Sequence, residues 1–202
     1  MNQVDFSSSA EPSYKSSNHE FLKAVDVSAK SSARRIRKAW SDYETNVDYG
    51  IVPMDLPKVA SCIDAGLETQ LYHVSFRNNA FDTHVQQPNL HRRLLSYASD
   101  AIFGFVNDLK RLGHADRVVV MVYSEFGRRV PENANLGTDH GSANNMFFIG
   151  NRVNGGHYGV LPSLVNLIDS GNLAFTTDFR QVYATAIEDW LKVDSKKVLK
   201  GT

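Results

Sequence analysis

The chain has 202 residues, 42% of them hydrophobic, with 22 Lys and Arg against 22 Asp and Glu and a single cysteine. That length suits one domain with its own core and is short for two of ordinary size. Balanced charge gives no electrostatic ground for nucleic acid or an anionic membrane as partner, and one cysteine excludes an internal disulfide and a cysteine-based zinc cluster.

The serine-rich residues 1–17 read as a disordered arm, and 18–202 as a single α/β domain. The arm lacks the apolar core of a secretory signal peptide. No window approaches the about 18 apolar residues of a membrane span. From His19 to Tyr49 the apolar spacing (Phe21, Leu22, Val25, Ile36, Trp40) is helical, and Arg34, Arg35, Arg37 and Lys38 make its second half basic, which reads as a solvated face. Val52-Pro53 and Leu56-Pro57 interrupt it, and Pro57 opens a short helix to Gly66. Cys62, among Val59, Ala60 and Ile63, reads as a buried inert thiol.

Residues 69–76 (TQLYHVSF) have the β-branched and aromatic content of a strand. A loop over 77–88 leads to the clearest helix, opened by Asn89 and closed by Gly113, with Leu94, Leu95, Ala98, Ala101, Ile102, Phe105 and Leu109 on one stripe. Residues 117–123 (RVVVMVY) then read as a strand buried on both faces, as in a parallel sheet. Strand, helix, strand at this spacing predicts a right-handed βαβ unit and a three-layer α/β sandwich with a mostly parallel sheet. Residues 145–149 form a shorter candidate strand, Asn154-Gly155 marks a turn, and a last helix runs from Asp178 to Leu191.

The chemistry-bearing residues follow the two predicted strands. Asp82 and His84 lie in the loop after the first; Glu125, Arg128, Asp139 and His140 lie after the second. Parallel neighbours would send both loops to one sheet edge, where α/β folds bind ligands. Two carboxylates and two imidazoles are the mixed donors that zinc, manganese or iron accept, and one or two such ions can clamp the oxygens of a phosphoryl or sulfuryl group. Arg128 is positioned to orient that anionic group, and Glu125 to hold Arg128 or move a proton. His157 and Arg180 are further candidates for substrate contact; Arg180 sits in a helix's first turn against the dipole, so an internal carboxylate or a substrate is its natural partner.

Each piece also has a plainer reading. Asp82 can cap a turn, Asp139 can belong to an Asx-turn, Glu125 and Arg128 can form a structural pair, and His84 and His157 can be surface residues. No Gly-x-Ser-x-Gly elbow surrounds Ser124, and neither a phosphate-binding lysine loop nor a dinucleotide fingerprint is present.

The ordered set Phe81-Asp-Thr-His84, Ser124-Glu-Phe-Gly-Arg128, Gly137-Thr-Asp-His-Gly141, the Gly155-Gly156 turn and Thr177-Asp-Phe-Arg180 with Val182-Tyr183 resembles, over roughly residues 71–193, a bacterial family of exported proteins. It is the family known as domain of unknown function 1501, itself similar to the alkaline phosphatase and sulfatase superfamily. The resemblance implies an alkaline-phosphatase-like sandwich in which Asp139 and His140 ligate a divalent metal such as zinc and Asp82 and His84 supply a second ligand group. It also implies an exported or periplasmic location, and a small-molecule or glycan ester of phosphate or sulfate as substrate. Members are usually longer, with a twin-arginine signal and an N-terminal half that carries the nucleophile. The chain is therefore expected to be a partial domain, the C-terminal half of such a protein, with little turnover unless a separate N-terminal half completes it. The competing expectation is a non-catalytic module that binds an anionic glycan or a protein partner.

Overall fold

Helical periodicity in the first fifty residues becomes a 25-residue helix, α1 (Ser17–Ser41), in a computed structural model that describes residues 17–76 and 79–200. The arm expected over 1–17 lies, up to residue 16, outside the described residues. The chain divides into two compact units, Met1–Tyr43 and Glu44–Thr202. In the first, α1 stops at Ser41, eight residues before the expected end, and its apolar stripe is exposed at Phe21, Leu22, Val25, Ile36 and Trp40. No helix among the described residues is long and apolar enough to cross a membrane.

The core of the second unit is a helix pair. Helix α2 (Leu56–Asp64) carries Pro57 in its first turn, where a missing N–H costs nothing, and buries Leu56, Ala60, Cys62 and Ile63. It packs on α3 (Gln87–Arg111), whose Leu94, Ala101, Phe105 and Leu109 are buried. Gly113, at φ +76°, ends α3 in a Schellman turn: its N–H donates to the Lys110 carbonyl at 3.1 Å, and that of His114 to Leu109 at 2.7 Å. Gly104 is needed for a different reason. A Cβ there would sit 2.5 Å from the Asp48 carbonyl oxygen and 2.8 Å from the Tyr49 Cα, so the chain crosses α3 at backbone contact. That crossing is anchored where the Tyr49 hydroxyl donates to the fully buried Asp108 at 2.7 Å, which also accepts from Arg111 Nε at 2.7 Å.

The mostly parallel three-layer sandwich is not what forms. Among the described residues the sheets are two antiparallel pairs: β1 (Val120–Val122) with a later strand, Phe147–Ile149, and β2 (Gly127–Arg128) with β3 (His140–Gly141). The later strand is β4, and Val120 lies opposite Ile149. Residues 71–76 do alternate, with Tyr72, Val74 and Phe76 half-buried and Leu71, His73 and Ser75 exposed, yet they join no ladder among the described residues. His73 reaches β1's neighbourhood through its ring instead, with Nε2 3.1 Å from the Tyr123 hydroxyl. Without ladder bonds between 71–76 and β1 there is no parallel pair and hence no βαβ unit. The valine run at 118–122 is half-buried rather than enclosed on both faces, which one antiparallel neighbour satisfies.

Candidate metal centre

The two loops meet without a parallel sheet. The turn at 79–84 precedes α3, and 129–139 is the connection from β2 into β3. Backbone bonds dock one against the other: the N–H groups of Gln86 and Gln87, opening α3, donate to the carbonyls of Asn135 and Leu136 at 2.9 and 3.0 Å. Helix N-termini leave such donors unpaired, so the second loop serves as the cap of the helix that follows the first.

Three side chains then clip the loops together. Arg128 donates from its two terminal nitrogens to the Phe81 and Thr138 carbonyls, each at 2.7 Å. Buried Gln87 donates to the Thr83 carbonyl and hydroxyl at 2.9 Å and accepts from the Thr138 hydroxyl at 2.6 Å. Asn133 donates to the His84 carbonyl at 3.1 Å and to Asp139 Oδ1 at 3.2 Å. Glycine makes room for the contact. A Cβ on Gly137 would collide with the His84 carbonyl, one on Gly127 with Ala143, and one on Gly141 with the Arg128 backbone.

The clips bring Asp82, His84, Asp139 and His140 together. Asp82 Oδ1 lies 2.7 Å from His140 Nε2 and 3.0 Å from His84 Nε2, and the two ring nitrogens are 3.2 Å apart. Asp139 Oδ1 sits 3.6 Å from His84 Nδ1, on the far side of that ring. The cluster is half-open, each of the four side chains exposing between 38% and 53% of its surface, so a ligand has direct access. Hydrogen bonds from His140 and then His84 hold the Asp82 carboxyl below the usual carboxylate range. Asp139 is lowered too, first by the Asn133 hydrogen bond, with His84 and the charge of Arg129 contributing. Both acids are therefore ionised across the physiological range.

Asp82, His84 and His140 offer one oxygen and two nitrogens within 4.8 Å of one another. Ligands on a tetrahedral zinc, at about 2.0–2.1 Å from the ion, are separated by about 3.3 Å. The observed triangle is a few tenths of an ångström tighter, so a small outward movement of exposed rings admits an ion. Hydrogen bonds alone serve this triangle poorly. Two protonated Nε2 atoms would oppose their hydrogens across 3.2 Å, and a single N–H cannot point at both the carboxylate and the other ring. The donor set fits a divalent cation.

The remaining expected residues fall elsewhere. Arg128 is part-buried and its guanidinium is spent on the two carbonyls, over the face of Phe126 at 5.1 Å. Burial draws it below the usual arginine value, opposed by Asp82 and Asp139. Glu125 is exposed, and among the described residues no hydrogen bond or ion pair joins it to Arg128. Arg180 is taken by Asp178, with bonds of 3.0 and 2.6 Å from Nε and Nη2. His157 is exposed, and no hydrogen bond, ion pair or ring contact joins it or Arg180 to the cluster among the described residues.

Sequence reasoning missed Gln87, Asn133 and Phe126. The Phe126 ring lies flat on His140, centroids 3.8 Å apart and planes at 8°, and fixes that imidazole's orientation. It stands inside the very motif that drew attention to Glu125 and Arg128. Asn133 also had a signal, since it lies two and four residues before Asn135 and Gly137, whose N–H groups its Oδ1 accepts at 2.9 and 3.1 Å. Gln87 had none.

No curated protein and no solved structure matches the chain. A family of proteins of unknown function, DUF1501, matches residues 5–202, well beyond the 71–193 window that the motifs span. The protein belongs to the DUF1501 family.

Proposed function

We propose that Asp82, His84 and His140, with Asp139 at the edge, hold a divalent cation, zinc foremost, and that the site acts on phosphate or sulfate esters. The observation that carries this reading is the convergence of three N/O donors from two loops on one solvent-open point. Such an ion supplies positive charge that stabilises the oxygens of a phosphoryl or sulfuryl group. The chain's own residues set the geometry: Phe126 and the three clips fix the rings and carboxylates, as partners behind metal ligands do. The half-exposed mouth admits an ester of modest size. An exported, periplasmic location belongs to the same proposal.

Among the described residues, no serine, threonine or cysteine side chain is hydrogen-bonded to the cluster; Thr83 and Thr138 are both engaged by Gln87. That observation favours low turnover in this chain and keeps an anion-binding module as the second reading. The test is hydrolysis of para-nitrophenyl phosphate and para-nitrophenyl sulfate by the purified chain with and without added zinc, alongside His140→Ala. A slow rate that needs zinc and disappears in the variant supports the hydrolase. Phosphate binding with no rate above the variant's favours the binding module, and no zinc binding removes the hydrolase while leaving a metal-free binding module standing.

A further inference from the structure

The anion-orienting arginine of this site is not the one that the motif spacing suggests. Arg128 has both terminal nitrogens on loop carbonyls, and Arg180 is locked to Asp178. Neither guanidinium has all of its nitrogens free of protein acceptors.

Arg129 does. The β2–β3 register sets Gly127 opposite Gly141 and Arg128 opposite His140. The next pair is Arg129 with Asp139, joined by a bond from the Arg129 N–H to the Asp139 carbonyl at 3.0 Å. Directly opposed residues of an antiparallel pair project from the same face, so the Arg129 side chain leaves the ladder on the side of Asp139. Yet no hydrogen bond or ion pair to this guanidinium is present among the described residues, and its Nε is buried without any partner. The buried Nε is closed to solvent, so the terminal nitrogens are the ones that a ligand could reach. The position, beside a half-open cluster of metal-type donors, fits an anion that bridges the guanidinium and a bound cation.

We infer that Arg129 is the substrate-orienting residue of the site, its guanidinium gripping the phosphoryl or sulfuryl oxygens of a ligand seated at Asp82, His84, Asp139 and His140. The inference rests on the metal-site reading above and assigns to Arg129 the contact expected of Arg128, which already holds two loop carbonyls. Guanidinium matches a tetrahedral oxyanion through two parallel N–H bonds, which a lysine ammonium cannot reproduce.

Calorimetric titration separates the two ideas. Zinc is titrated into wild type, Arg129→Gln and Arg129→Lys, and inorganic phosphate is then titrated into each zinc-loaded protein. Expected are zinc affinities equal within about threefold, phosphate binding to wild type, a loss of ~10-fold or more in Arg129→Gln, and only partial recovery in Arg129→Lys. Phosphate affinity unchanged in Arg129→Gln, or no phosphate binding to zinc-loaded wild type, overturns the role of Arg129 and leaves the metal site standing. A loss of zinc affinity in Arg129→Gln identifies a structural support rather than a ligand contact, and equally overturns it. Absence of zinc binding in wild type overturns the metal-site reading, and this inference with it.

Discussion

Arg128 shows how a residue type suited to catalysis can be used for architecture. Its two bonds reach carbonyls immediately before Asp82 and Asp139, so one planar group sets the spacing of both acids. Arg128→Ala removes two charge-assisted bonds and should destabilise the chain by about 1–3 kcal/mol in urea titrations, since the group is only part-buried. Zinc affinity should fall roughly 10-fold or more, as it does when the support of a metal ligand is removed. Arg128→Lys should fail to restore it, because one ammonium cannot span both carbonyls. An Arg128→Ala protein with full zinc affinity would contradict the clip.

Asp178 offers a separate check at the same scale. Bonds from the Arg180 side chain, then its backbone N–H, bring the Asp178 carboxyl down from 3.8 to about 2. The folded value is depressed, so this carboxylate's contribution is complete above the unfolded value and is lost as pH falls through about 2. In chemical shift titration the Asp178 carboxyl should therefore titrate near 2, well below the ordinary value of 3.8, and Arg180→Gln should return it upward. An ordinary carboxylate midpoint in the wild type would refute the pairing.

At the scale of elements, α3 was legible because its periodicity and its closing glycine, Gly113, agree. It begins at Gln87 instead of after Asn89 because the second loop's carbonyls, invisible to local pattern, satisfy its first N–H groups. Helix α4 (Phe179–Thr185) was equally legible: Asp178 Oδ1 accepts from the Arg180 N–H at 2.9 Å, and the helix continues through a π-helical turn over Ala186–Trp190. The sheet was not. Residues 71–76 and 118–122 have strand composition, but composition does not specify a backbone partner, and β1 takes Phe147–Ile149 in antiparallel register. The four cluster residues were found by an incorrect route. Shared strand exits were expected to gather them, and the β2–β3 ladder with its clips does so instead. Gly104 tests the helix packing, where no room exists for a methyl against Asp48 and Tyr49. Gly104→Ala should cost about 1–3 kcal/mol despite its better helix propensity. A stability gain on thermal melting would show that the crossing is looser than described.

For the whole molecule, the second unit holds both the core and the candidate site. The site's stiffness derives from α3, whose first turn receives the second loop while its middle packs on α2. Under the proposed metal site, metal and fold would be coupled, because an ion bound only by the folded arrangement stabilises it by mass action. Zinc should raise the melting temperature of wild type and leave that of His84→Ala unchanged. Acidification protonates the ligands and should release the ion. The most direct test is a zinc titration of metal-free wild type against the double variant Asp82→Asn, His140→Ala. The account predicts about one tightly bound equivalent in wild type and its loss in a double variant that still folds by circular dichroism. No zinc uptake by wild type, or equal uptake by the folded double variant, would contradict it.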